Sequence, residues 1–288
     1  MSTITTHSTS GAARSKLKGP GVFSYSIMLA LAFYAAAPLV VLFLNSLKST
    51  EEASTNSFGL PQSVNWSNYI DAWRIGGFST TLLNSTILVA LSVAGVLVVS
   101  FLAAYGLARY TPRGHDFFLT YLLVGSTIPV QLYLIPLFVF LTRNELMDNL
   151  FVLSVLYVAK FAPFATFLLR AFLLGISSDF EDAARVDGAS EFQVLRKIVV
   201  PLLAPAIMTV GLVTGLQVWN EFTLAVTLIQ SEELKPVSTS LFAFQQRHGT
   251  DWGLTNAGAV ITVLPVIILF LLLQRRFIEG LTQGGSKG

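Results

Sequence analysis

The chain has no cysteine among its 288 residues, which excludes disulfide frameworks, cysteine-ligated metal sites and thiol nucleophiles. Charge is scarce too: Asp, Glu, Lys and Arg make up 12% of the residues, against about a quarter in soluble domains. No G-x-x-x-x-G-K-[ST] run occurs, so the usual backbone cradle for nucleotide phosphates is missing. No zinc-ligand spacing or nucleophile elbow is present either. The three histidines, His7, His115 and His248, fall in a tail and in loops without an evident orienting carboxylate, and read as solvated. What remains is apolar: 53% of the residues are hydrophobic and the mean hydropathy is +0.67, the composition of a polytopic membrane protein. Membrane lipid is therefore the expected surrounding and nucleic acid is not an expected partner.

A hydrocarbon layer of about 30 Å needs roughly 20 helical residues. Six stretches meet that length, near 21–45, 80–107, 117–141, 149–176, 198–229 and 254–276. The expected fold class is an all-α polytopic membrane protein of six transmembrane helices with a cytoplasmic helical loop. Residues 1–20 and 279–288 read as cytoplasmic tails around a transmembrane domain over 21–278. Positive residues favour the cytoplasmic side. With both termini inside, twelve Lys and Arg residues fall in cytoplasmic segments and only Lys48, Arg74, Arg143, Lys235 and Arg247 outside, while Lys160 lies within a span. That orientation puts the segment 178–201 in the cytoplasm.

This segment is more ordered than a connecting loop requires. Ser178 and Glu181 have the spacing of a capping box, and Asp179, Glu181 and Asp182 crowd the first turn, where the helix dipole favours carboxylates. Phe180, Ala183 and Ala184 share one face, Gly188 suits a left-handed helix end, and Ser190 with Gln193 repeats the capping spacing. The pattern predicts a rigid helix, turn, helix leading through Ile198 to Pro201.

At these residues the chain resembles the membrane permeases of ATP-binding-cassette importers, whose cytoplasmic loop reads E-A-A, three residues, G, nine residues, I, one residue, L-P. Here the positions are Asp182, Ala183, Ala184, Gly188, Ile198, Val200 and Pro201. Asp182 and Val200 depart conservatively, and Glu181 supplies a carboxylate one residue earlier. The external run with Pro61, Asn68, Tyr69 and Trp73, then Asn84 and Ser85, FLLR at 167–170, WNEF at 219–222 and the ending QRRFIEGL extend the resemblance along nearly the whole chain. They look like the carbohydrate importers of the maltose type, and specifically their smaller six-helix permease. The resemblance implies that Glu181, Asp182, Ala183, Ala184, Gly188, Ile198 and Pro201 form a coupling helix seated on an ATPase. It further implies a second permease, two ATPase copies that use ATP and Mg, and an extracytoplasmic sugar-binding protein, with no cofactor on this chain and no enzyme activity of its own. A self-sufficient secondary transporter and a non-transporting membrane scaffold are the alternatives.

Two charged residues fall inside expected spans, where a charge costs about 2.5–3.5 kcal/mol. Lys160 lies about 17 Å and Glu221 about 12 Å from the outer end of its span at about 1.5 Å per residue. Comparable depth predicts that they pair, with Trp219 and Asn220 beside them. Three readings stay open: a pathway or gate, direct sugar contact through Asn220 and an aromatic ring of Trp219 or Phe161, or an ion pair that only fixes packing. Gly211 and Gly215 predict a close helix contact in the fifth span. Pro129, Pro136, Pro163, Pro205 and Pro265 lie within expected spans.

Overall fold

The computed structural model describes residues 22–110, 113–241 and 251–285, with side-chain surroundings up to residue 274. His7, His248, Arg247 and the first 20 residues lie outside the described residues. All regular structure among the described residues is helical. Among the described residues five helices are long and apolar enough to cross a membrane, and a bent helix pair makes a sixth candidate if it counts as one span. The five are α1 (Val22–Ser46), α4 (Phe78–Tyr105), α7 (Leu150–Leu174), α10 (Val200–Trp219) and α12 (Trp252–Gly285), with the short α2 (Thr50–Thr55) and α3 (Ser67–Ile75) between the first two. α12 continues to Gly285, so the backbone of the expected C-terminal tail is helical that far.

The stretch expected as one span at 117–141 is instead two helices, α5 (His115–Thr127) and α6 (Val130–Arg143), meeting at 88°. Pro129 causes the break. It has no N–H to continue the ladder, and it drives Ile128 into extended backbone at ψ 118°. The fifth expected span also ends early. α10 stops at Trp219, and a separate short helix, α11 (Thr223–Leu228), follows residues 220–222.

The core is built by α4, α7 and α10. α4 makes its most extensive packing against α7, and the reason is Gly95: a Cβ there would lie 2.5 Å from Val158 Cγ2. The Ser100 hydroxyl donates to the Ala162 carbonyl at 3.0 Å across the same seam. Gly211 and Gly215 do not make the close contact expected of them. A Cβ at either would sit 3.6–3.7 Å from Val89, Val93 or Leu97, ordinary van der Waals separation. α1 has no buried residue in its apolar window and α5 none at all, so both present bare apolar faces.

The bundle has two unlike ends. At one, Asn84 donates to the carbonyls of Glu233 and Lys235, and the Val237 N–H donates to Ser85 Oγ. At the other, the end of α4 and the loop 175–199 are joined by an ionic cluster.

Candidate functional site

The helical loop begins with α8 (Asp179–Val186). Gly188 has φ +83° and ends it, as its lack of a Cβ allows. α9 (Glu191–Val194) opens with a complete capping box: Ser190 Oγ accepts the Gln193 N–H, and Gln193 Oε1 accepts the Ser190 N–H. The chain then passes through a π turn, Leu195–Val199, into α10 with Pro201 in its first turn. Ile198 is half-buried, and Val194 and Val199 anchor the loop in the core.

The capping box expected at Ser178 is absent, because Glu181 is engaged elsewhere. Ser178 has helical backbone and makes no side-chain cap, while Ser177 Oγ accepts the Asp179 N–H. Glu181 is 2% exposed. Its Oε1 accepts Arg109 Nε at 2.7 Å and its Oε2 accepts the Tyr105 hydroxyl at 2.9 Å. Arg109 Nη2 also donates to the Ile176 carbonyl, and Arg185 bridges the Tyr105 hydroxyl, Asp182 and Glu191. Arg109 and Tyr105 belong to α4 and its π turn Gly106–Tyr110, more than 70 residues away in sequence from Glu181. Sequence reading missed both, since no spacing rule links such distant positions.

The apolar face is also distributed differently from the expectation. Ala183 is exposed, but Ala184 turns inward against Val194 and its neighbours. The large exposed apolar side chains of the loop are Phe180, Val186 and Phe192. His115 is not free in solvent: its Nε2 lies 3.0 Å from Arg170 Nη2 and its Nδ1 3.0 Å from Asp116 Oδ1.

At the other end Lys160 and Glu221 meet, with Lys160 Nζ donating to Glu221 Oε1 at 2.9 Å. Glu221 is not within a helical span, however. It lies in the break after α10, where its carboxylate accepts the Leu224 and Ala225 N–H groups and so caps α11. The Tyr157 hydroxyl adds a fourth donor at 3.0 Å. Lys160 Nζ lies 5.2 Å from the Phe161 ring centroid. Trp219 and Asn220 are not drawn into this group. The Trp219 indole donates to the Thr262 carbonyl on α12, and Asn220 is exposed with its amide on the Leu216 carbonyl. Lys160 lines a cavity of about 610 Å³ with Tyr121, Tyr133, Leu156, Pro163 and Leu224. Asp148, in the loop after α6, fastens the far end of α11. Its N–H donates to the Leu228 carbonyl and its Oδ1 accepts the Gln230 and Ser231 N–H groups. The Ser231 N–H foremost, then the Gln230 N–H, the Ser231 hydroxyl and the Lys235 charge, hold the Asp148 carboxyl below the usual range against the opposing effect of burial.

Residues 96–283 match the model of one family, the binding-protein-dependent transport system inner membrane components. The chain belongs to this family. The permease is 34% identical to a probable ABC transporter permease, YurM, of Bacillus subtilis, over 93% of this chain and 87% of that one. It is 31% identical to SugB, the trehalose transport system permease of Mycobacterium tuberculosis, covering 88% and 93%. It is 30% identical to AraQ, the arabinooligosaccharides transport system permease of Halalkalibacterium halodurans, covering 90% and 93%. Among solved structures, it is similar to a bacterial ABC transporter involved in the import of the acidic polysaccharide alginate. The TM-score is 0.72 at 26% identity, over 88% of this chain and 95% of that one. The permease is thus a multi-pass inner-membrane transport component and not an enzyme.

Proposed function

We propose that the permease carries a carbohydrate, a sugar or related polyol, inward across the bacterial cytoplasmic membrane as one half of a permease heterodimer. Two copies of a separate ATPase subunit hydrolyse ATP with Mg, and an extracytoplasmic binding protein delivers the sugar. Both termini and the loop 178–201 face the cytoplasm. The observation that carries this reading is the loop itself, a capped, ion-paired helical unit that exposes Phe180 (57%), Val186 (87%) and Phe192 (69%). An apolar ridge of this kind beside charged groups has the character of an interface rather than of a solvated connector. Trehalose and arabinooligosaccharide permeases among the relatives support a carbohydrate as cargo. The Lys160–Glu221 pair and its cavity lie along the proposed pathway, where the pair holds α11 in place and gates passage.

Reconstitution tests this reading. Vesicles holding the complete complex, purified through a tag on this chain, are offered radiolabelled trehalose, arabino-oligosaccharides and diacetylchitobiose with the binding protein outside and ATP inside. ATP-dependent uptake of one of them is expected. Vesicles with this chain alone should take up none. Accumulation by the chain alone on an ion gradient would replace the importer reading with a secondary transporter, and a complex without an ATPase subunit would leave only a scaffold.

A further inference from the structure

Three routes lead from the coupling loop into the bundle, and they differ in kind. α9 runs into α10 through the π turn Leu195–Val199, a continuous helical backbone. α8 is joined to α7 by the four residues 175–178. α4 has no backbone connection to the loop nearby, yet it forms the main seam of the core with α7. Its link is made by side chains.

That link is partly apolar and partly ionic. Tyr105 and Ala104 pack in the same cluster as Val194, with Ala184 and Ala189 against it. Apolar contact is non-directional. The Glu181 carboxylate adds direction, because each of its oxygens makes its shortest bond to the end of α4 or its π turn: Oε1 accepts Arg109 at 2.7 Å and Oε2 accepts Tyr105 at 2.9 Å, with Arg185 of α8 itself at a longer 3.5 Å from Oε2. Arg109 is placed by the π turn Gly106–Tyr110, whose extra residue rotates the following side chains by roughly 100° relative to a regular α-helix. Its Nη2 reaches the Ile176 carbonyl, so the end of α7 is held by the same guanidinium. With 2% and 12% side-chain exposure, the pair cannot exchange partners with water without opening the cluster.

We propose that Glu181 is a positioning residue for coupling, which through Arg109 and Tyr105 locks α8 to the inner end of α4 so that displacement of the loop moves α4 with it. This inference rests on the reading of the loop as the ATPase docking surface. It assigns Glu181 an inward role, while Phe180, Val186 and Phe192 face the partner. A strut differs from a mere stability contact in what its loss does: the loop still receives the motion, but α4 no longer follows.

The absence of cysteine permits a direct test in the complete complex. Nitroxides on Ser79→Cys and Asn144→Cys report the far ends of α4 and α6, and ATP with vanadate drives the ATPase. The distance should change on trapping in the parent protein. In Glu181→Gln and in Arg109→Gln the change should fall to about half or less, while ATPase retention and ATP hydrolysis stay within about twofold. The double variant should be no worse than either single one. Tyr105→Phe, which keeps the volume, should show a smaller loss in the same direction and serves if the charge variants fail to assemble. An undiminished change in variants that assemble, or no change in the parent, overturns the strut. Failure of the docking reading is separate: it is shown by full ATPase retention in a Phe180→Asp/Phe192→Asp variant.

Discussion

At the scale of single residues, Lys160–Glu221 is unequal in its two halves. Lys160 is 27% exposed and Glu221 6% exposed in their side chains, and the carboxylate also holds Tyr157 and the first turn of α11. Glu221→Ala should therefore cost more stability than Lys160→Ala. Lys160→Met should cost about 1–3 kcal/mol, below the 3–5 of a fully buried pair because water still reaches the ammonium. Thermal unfolding of Lys160→Met, Glu221→Gln and their combination checks this, and strict additivity would mean that the two charges do not interact. Gly188 offers a contrast without any lost contact, since a Cβ there meets nothing within 4 Å and only φ +83° is demanding. Gly188→Val should cost about 1–2 kcal/mol in the loop and lose ATP-coupled uptake while inserting normally. Gly188→Asn, which tolerates the left-handed region, should keep uptake.

At the scale of elements, the seam between α4 and α7 should be intolerant where that between α4 and α10 is not. Gly95→Ala drives a methyl against Val158 and should destabilise by about 1–3 kcal/mol. Gly211→Ala has room for its methyl and should be neutral or stabilise by up to about 1 kcal/mol through helix propensity. Unfolding midpoints of the two variants in one detergent decide it. The Asp148 clamp on α11 carries a pH dependence of definite sign. A carboxyl held below its ordinary value stabilises the clamp above the unfolded value of about 3.9, and that contribution is lost as pH falls through the lower folded value. Amide exchange at Gln230 and Ser231, corrected for intrinsic rate, should accelerate at acid pH, and Asp148→Asn should remove the dependence. These elements also mark how far sequence alone reaches. Five crossing helices were legible because length and apolarity suffice to specify them. The break at Pro129 was hidden inside an unbroken apolar run, and the break after Trp219 was hidden because Glu221 satisfies the free N–H groups of α11 itself. Ser190–Gln193 was legible as a local rule, whereas Ser178–Glu181 failed because Tyr105 and Arg109 outbid a local cap from a distant part of the chain.

For the molecule as a whole, the unlike ends of the bundle carry the question of sidedness. Arg109, Arg170 and Arg185 gather with the loop 178–201 at one end, and Arg74 and Lys235 lie with residues 231–240 at the other. On the proposed orientation the first end faces the cytoplasm, where short basic segments are retained. The cysteine-free chain is a ready background for testing this, because a single introduced thiol is the only labelling site. Ser190→Cys lies in the exposed α9 cap and Glu233→Cys in the exposed segment after α11. In intact cells a membrane-impermeant maleimide should label Glu233→Cys and leave Ser190→Cys untouched until the membrane is permeabilised. The opposite pattern would invert the topology and remove the coupling loop from the ATPase. Protection of Ser190→Cys after permeabilisation, relieved when the ATPase subunit is stripped off, would further place the partner on this loop rather than on the bare faces of α1 and α5. Those faces would then remain for the second permease and for lipid.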